Sequence, residues 1–137
     1  MKILIGTHHL KLSGIGTYVY SLTTELERRG HDVEIITHHI GQIGIKLRKN
    51  IVHSSSTIRK KYDLILVFSN TNCREIINNE VEGYLLFMLQ GLYFNNDIPR
   101  QEYLKRIDKV FSLSESSRDA IANPGSYDFI GKFVVNH

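Results

Sequence analysis

The residues best suited to chemistry form a glycine-rich turn near the start of the chain. The turn reads Ser13-Gly14-Ile15-Gly16-Thr17. It follows the apolar run Ile3–Ile5 and opens an amphipathic segment, the pattern of a strand, a turn and a helix. A helix that begins at such a turn exposes backbone N–H groups and the positive end of its dipole, which together attract anions. The turn therefore predicts a site for a phosphate-bearing ligand such as a sugar nucleotide.

Five histidines stand at the ends of apolar runs. They are His8 and His9 after the first run, His38 and His39 after the second, and His53 at the end of the third. If these strands are neighbours, several imidazoles gather along one edge of a sheet, although consecutive residues point to opposite faces. Metal binding needs converging ligands, usually with a carboxylate or thiolate nearby. We therefore interpret the histidines as hydrogen-bond partners of a substrate or as ordinary loop residues, and predict no metal site.

Later strand ends carry a second set of polar candidates. Gln90 and Gly91 follow the fifth apolar run, and Ser114, Glu115 and Arg118 follow the sixth. An amide does not titrate, so Gln90 can orient a hydroxyl but cannot act as a general base. Ser114 can cap a helix and Glu115 can complement its dipole, so structural roles also explain these residues. We keep all five as candidate substrate contacts.

Short apolar runs alternate with helical patterns along the whole chain. The predicted strands are Lys2–Gly6, Val33–Thr37, Ile51–His53, Leu64–Phe68, Tyr84–Leu89, Val110–Leu113 and Lys132–Val135. The predicted helices are Gly14–Arg29, one capped by Asn70 or Thr71 and running to Asn79, Gln101–Ile107, and one after Ser114. This alternation predicts an α/β, Rossmann-like, doubly wound sheet, mostly parallel, with helices on both faces in three layers. Ligands of such sheets bind beyond the carboxyl ends of the strands, near the point where strand order reverses.

Composition bounds the class of protein. The chain has 137 residues, of which 42% are apolar and 23% charged, values that suit one soluble domain. Cys73 is the only cysteine, which excludes an internal disulfide and fits a reducing, cytoplasmic location. It has no neighbouring base, so we interpret it as an inert helix residue. The sequence shows no signal peptide and no run long enough to span a bilayer.

The chain has a net charge of +3, and its basic residues are locally concentrated in two clusters. They are Lys46, Arg48 and Lys49, and then Arg59, Lys60 and Lys61. They can form a solvated face or contact an anionic membrane surface or a phosphorylated acceptor. Ile40, Ile43, Ile45 and Leu47 lead into the first cluster, which fits peripheral membrane contact. Gly41 and Gly44 argue against a helix in this segment.

Three segments of the chain resemble the opening of a GT-B glycosyltransferase, most closely of family 4. They are Lys2-Ile3-Leu4-Ile5, Ser13-Gly14-Ile15-Gly16-Thr17-Tyr18-Val19 and Arg29-Gly30-His31-Asp32-Val33. Family members begin with a strand, a "GGIGRY"-like loop, an amphipathic helix and "RGHEV". Tyr62–Ile65 and Phe111–Arg118 are similar to later family segments, so the resemblance extends over nearly the whole chain.

The resemblance implies a retaining transferase whose active site lies in a cleft between two Rossmann-like halves. The N-terminal half mainly holds the acceptor, and the C-terminal half holds most of a UDP- or GDP-sugar donor. Residues 1–137 resemble only the N-terminal half, so we expect the donor-binding domain to be absent and the chain alone to be inactive. The implied partners are a sugar acceptor (a glycan, lipid or small molecule) and that second domain, with no nucleic acid and no permanently bound cofactor.

The chain departs from the family pattern at several positions, so other functions stay open. Ser13 and Thr17 stand where glycine and arginine are frequent, and Gln90 stands where many relatives have histidine. A nucleotide- or cofactor-binding Rossmann domain of another enzyme class is one alternative. It is weakened because Val19 replaces the third glycine of the dinucleotide motif and no acidic residue ends the second strand. A non-catalytic binding module with a flavodoxin-like fold is another alternative.

Overall fold

The computed structural model describes residues 1–52, 58–89, 98–112 and 133–135. Seven strands form one sheet: β1 Lys2–His9, β2 Asp32–His39, β3 Ile51–Val52, β4 Lys61–Val67, β5 Glu82–Leu89, β6 Lys109–Ser112 and β7 Phe133–Val135. Their order across the sheet is β3-β2-β1-β4-β5-β6-β7, and every neighbouring pair is parallel. The predicted doubly wound α/β fold is confirmed, and strand order reverses between β1 and β4.

The first two strands run further than the apolar pattern predicts. β1 was expected to end at Gly6 and β2 at Thr37, but their pairing continues to His9 opposite His39. Ladder hydrogen bonds involve only the backbone, so polar side chains near the sheet edge do not end a strand. Both histidine pairs therefore lie on extended backbone at the carboxyl edge of the sheet.

Three helices are described, α1 Gly14–Arg28, α2 Gln42–Lys46 and α3 Asn70–Asn78. Gly30 ends the α1 segment with φ of +89°, a conformation that glycine adopts without strain. The expected cap of α3 at Asn70 or Thr71 is wrong: Ser69 is the N-cap, and its side chain accepts a hydrogen bond from Asn72 N–H. The segment from Gln101 is a 3₁₀ turn over Gln101–Tyr103 instead of a helix to Ile107.

The short helix α2 forms where two glycines argued against it. A Cβ on Gly41 would lie 2.6 Å from the carbonyl oxygen of Leu10, and one on Gly44 would lie 2.7 Å from Ile40 Cγ2. The N–H groups of Ile43 and Gly44 both donate to that Leu10 carbonyl. Gly41 is therefore needed for close packing against the β1–α1 loop, and Gly44 leaves room for the side chain of Ile40. The contacts of α2 with the loop outweigh the low helix propensity of both glycines.

The core is divided by the sheet into two layers. Ile3, Ile5 and Val33 pack with α1 and α2 on one face, which we call the α1 face. Leu4 and Ile36 pack with α3 on the other, the α3 face. Side chains alternate along a strand, so His9 and His39 lie on the α1 face and His8 and His38 on the α3 face.

Candidate functional site

The candidate site lies at the carboxyl edge of the sheet where strand order reverses. The loop after β1 leads to the N-terminus of α1 on one face, and the loop after β4 leads to the N-terminus of α3 on the other. Such a crevice is where ligands bind in open α/β sheets. The topology thus brings the predicted glycine turn and the first two histidine pairs to one edge.

The N-terminus of α1 is open to an anion. Ser13 is the N-cap with extended backbone, and its Oγ accepts a hydrogen bond from Gly16 N–H at 3.3 Å. Thr17 N–H donates to the Ser13 carbonyl. The N–H groups of Gly14 and Ile15 have no acceptor within the described part of the chain, as is usual for a first turn. The first turn also carries no acidic side chain, so its partial positive charge is not neutralised.

The two glycines of the turn have different physical roles. A Cβ on Gly16 would overlap the carbonyl oxygen of Lys11, so only glycine allows α1 to begin this close to the loop. A Cβ on Gly14 would meet nothing within 4 Å, so that side of the turn is open space. Gly16 is therefore needed for packing, whereas Gly14 leaves room for a ligand to approach the backbone.

His9 supports the turn from the α1 face. Its Nδ1 lies 3.3 Å from Lys11 N and accepts that N–H. Burial lowers the pKa of His9, and the positive charges of Lys11, His8 and His39 lower it further. His9 is thus held neutral, as an acceptor for the loop backbone requires. The structure places it beside the predicted anion site but gives it a local structural partner.

His8 and His38 form a separate polar group on the α3 face. Their rings are edge to face with centroids 5.5 Å apart, and His38 Nε2 lies 2.7 Å from Glu75 Oε1. Glu75 is a functional candidate that the sequence did not reveal. The contact joins residues 37 positions apart, and neither neighbouring sequence carries a signal for it.

A buried network anchors Glu75. Ser69 Oγ donates to Asn72 Oδ1 at 2.6 Å, and Asn72 Nδ2 donates to Glu75 Oε1 at 3.4 Å. Ser69 and Asn72 are both buried. Gly6 lies under the network, because a Cβ there would be 3.1 Å from Asn72 Cβ. The carboxylate of Glu75 is therefore positioned by α3 and can orient the imidazole of His38.

Six of the predicted residues fall in segments that the structure does not describe. Gln90, Gly91, Ser114, Glu115 and Arg118 lie outside the described residues, as does His53. Their roles stay predictions. Within the described ranges no group of three or more His, Cys, Asp or Glu side chains is arranged to hold a metal ion. None of the described helices is long and apolar enough to cross a membrane.

Fold and site together define the class of protein. An all-parallel, doubly wound sheet with a helix N-terminus at its switch point is typical of Rossmann-like enzymes that use phosphorylated ligands. Residues 7–127 match the family described as the starch synthase catalytic domain, and the chain belongs to this family. It is a GT-B glycosyltransferase family, so the resemblance to glycosyltransferases is confirmed, while the family 4 assignment stays a prediction. No curated protein matches the chain.

Cys73 lies on α3 and packs into the core of the α3 face, and we expect it to be unreactive in the folded chain. Burial raises the pKa of its thiol to about 12, and its side chain is 0% exposed. At pH 8 the thiolate fraction is then on the order of 10⁻⁴, and the reagent has no access. Labelling with a disulfide reagent should be at least about 100-fold slower in buffer than in denaturant, where one thiol reacts per chain. Rapid labelling in buffer would show that α3 opens readily.

Proposed function

We propose that this domain is the acceptor-side half of a retaining glycosyltransferase. The complete site would move a sugar from a nucleotide-sugar donor to a hydroxyl of a glycan, lipid or small molecule, with a second Rossmann-like domain holding most of the donor. The observation that carries the proposal is the family match over residues 7–127, with the glycine turn at the switch point. The glycosidic bond forms at the acceptor oxygen as the sugar–phosphate bond breaks, and the acceptor proton passes to the departing phosphate.

The N-terminus of α1 supplies electrostatic stabilisation in this proposal. Negative charge develops on the departing diphosphate, and the N–H groups of Gly14 and Ile15 can donate to it together with the helix dipole. Thr17 brings no cation to the turn, so this contribution comes from the backbone. The open space beside Gly14 lets a phosphate approach that closely.

His8 and His38 are proposed to contact the acceptor. They lie on the opposite side of the same sheet edge, and Glu75 holds His38 by one ring nitrogen. The second ring nitrogen of His38 has no partner within the described residues and can orient a sugar hydroxyl. This arrangement supports a binding role, which matches a reaction in which the phosphate accepts the proton.

Sugar transfer by the chain alone tests the proposal directly. With ADP-, UDP- or GDP-glucose and a set of oligosaccharide acceptors, we expect no turnover by the purified chain. Calorimetric titration should show NAD binding no more tightly than inorganic pyrophosphate. Turnover by the chain alone would contradict the need for a second domain. Tight and selective NAD binding would favour a cofactor-binding domain of another enzyme class.

Substitutions of Ser13 separate anion binding from helix stability. Ser13→Asp keeps a good N-cap, so the free energy of unfolding should change by less than about 0.5 kcal/mol. Its carboxylate repels an anion at the same helix terminus, and pyrophosphate affinity should fall roughly tenfold or more. Ser13→Ala should lose about 1 kcal/mol of stability but retain most of the affinity. Urea unfolding gives the stabilities, and NMR titration gives the pyrophosphate affinities. If Ser13→Asp bound pyrophosphate as tightly as the parent chain, the anion would bind elsewhere.

A further inference from the structure

Large exposed hydrophobic side chains are concentrated at one corner of the domain. Leu12 is 69% exposed, Ile45 59%, Ile40 46% and Tyr20 36%. Only Met1 and Tyr84 complete this set among the described residues. Four exposed apolar groups in one region are unusual on a soluble domain and mark a contact surface.

The four residues come together because α2 packs on the β1–α1 loop. Ile43 N–H and Gly44 N–H donate to the Leu10 carbonyl, and Gly41 lies against the Lys11 backbone. Ile40 and Ile45 flank this contact in sequence, and Leu12 follows it in the loop. Lys46 Nζ lies 5.5 Å from the centroid of the Tyr20 ring, which joins α2 to the side of α1. We call this surface the α1–α2 corner.

The corner is positively charged. Lys11, Lys46 and Arg48 are exposed and have no carboxylate partner within the described residues. Lys49 lies further along, 3.6 Å from Glu27. The sequence has no acidic residue in positions 10–24 or 39–50, the two segments that contain the corner residues. Exposed apolar side chains and unpaired cations thus share one surface.

The second basic cluster is not part of this surface. Arg59 Nε donates to Glu34 at 2.9 Å, and Glu34 lies on the α3 face because it alternates with Val33 and Ile35. Lys60 Nζ donates to the carbonyl of Asn79 at the end of α3. The sequence grouped both clusters as one membrane contact, but the sheet separates them and Arg59 is neutralised locally.

We propose that the α1–α2 corner binds an anionic lipid surface. Apolar side chains that enter the interface and lysines that meet anionic headgroups are the two requirements for reversible membrane attachment. A protein partner would not require the complete absence of acidic residues from both segments. The attachment does not depend on sugar transfer, and it can be measured with lipid alone.

Vesicle co-sedimentation of the purified chain tests this proposal. We expect binding to vesicles of phosphatidylcholine with phosphatidylglycerol, little binding to phosphatidylcholine alone, and a loss of binding as salt is raised. Lys11→Gln with Lys46→Gln should lower the partition coefficient about 25-fold, roughly 5-fold for each cation. Leu12→Ser with Ile45→Ser should lower it at least about tenfold, because both side chains are already exposed and their loss leaves the fold intact.

A matched control removes the same charge elsewhere. Lys61→Gln with Lys105→Gln should bind vesicles like the parent chain, since neither residue belongs to the corner. Equal thermal unfolding of all variants shows that they are folded. Three results would overturn the proposal: no binding to anionic vesicles, equal weakening by the control pair, or a dimer that Leu12→Ser with Ile45→Ser dissociates while vesicles are not bound.

Discussion

Gly16→Ala is expected to lower the free energy of unfolding by about 3 kcal/mol, the upper part of the range for overpacked sites. The added methyl group would overlap the carbonyl oxygen of Lys11. That atom belongs to the backbone, so no side-chain rotation can relieve the overlap and the loop from Leu10 must move. The Leu10 carbonyl in this loop accepts hydrogen bonds from α2, so the displacement should extend to the α1–α2 corner.

Gly14→Ala is the matched control for this change. The position lies two residues away in the same turn, and a Cβ there meets nothing within 4 Å. Alanine also favours the helix, so stability should be unchanged or rise by up to about 1 kcal/mol. Urea unfolding of both variants, followed by far-UV circular dichroism, gives the comparison. Similar midpoints for the two variants would contradict the close approach of the loop to α1.

Asn72→Ala is expected to have the second large effect, lowering the free energy of unfolding by about 2–3 kcal/mol. The Asn72 side chain is 1% exposed and links Ser69 to Glu75. Its removal leaves the buried Ser69 hydroxyl without its acceptor and opens a small cavity against Gly6. The Glu75 carboxylate loses one of the two side-chain partners that it has in the described part of the chain, so the orientation of His38 should loosen as well.

Asn78→Ala provides the comparison on the same helix. Asn78 is exposed near the end of α3, and alanine has the higher helix propensity, so this variant should be as stable as the parent or slightly more so. Thermal unfolding gives the stabilities, and NMR chemical shifts of the His38 ring report its orientation. A stable Asn72→Ala chain with unchanged His38 shifts would mean that the buried network does not position Glu75.

The site was only half predictable because its two halves depend on interactions of different range. The glycine turn is a local signal: the strand, the glycines and the helix that follows are consecutive, and α1 begins at Gly14 as predicted. The role of Ser13 as the N-cap was not predicted. The His38–Glu75 pair is a long-range contact, and the sequence around either residue does not predict the other. It exists because β2, β1 and α3 come together in one particular strand order.

The same distinction applies to the secondary structure. Leu64–Phe68 was predicted as a central strand because it is apolar throughout, as a parallel strand covered on both faces should be, and all of it but Phe68 lies in β4. Tyr84–Leu89 was also predicted as a strand, and it lies within β5. Helix α2 was missed because its stability comes from the Leu10 carbonyl and not from its own propensity. The predicted helix Gln101–Ile107 was too long, because hydrophobic spacing alone does not distinguish a single turn from a longer helix. The structure has a 3₁₀ turn over Gln101–Tyr103.

The sequence by itself determined the alternation of strands and helices, the glycine turn at the start of α1 and the resemblance to a glycosyltransferase. These depend on hydrogen bonding and hydrophobic periodicity over a few consecutive residues. The sequence also predicted that the two histidines of each pair point to opposite faces. Only the tertiary structure decided that His8 and His38 are the pair on the α3 face, that Glu75 meets His38, and that the two basic clusters are separate. Strand order and register set those contacts, and both are established only when the buried faces of distant segments pack together.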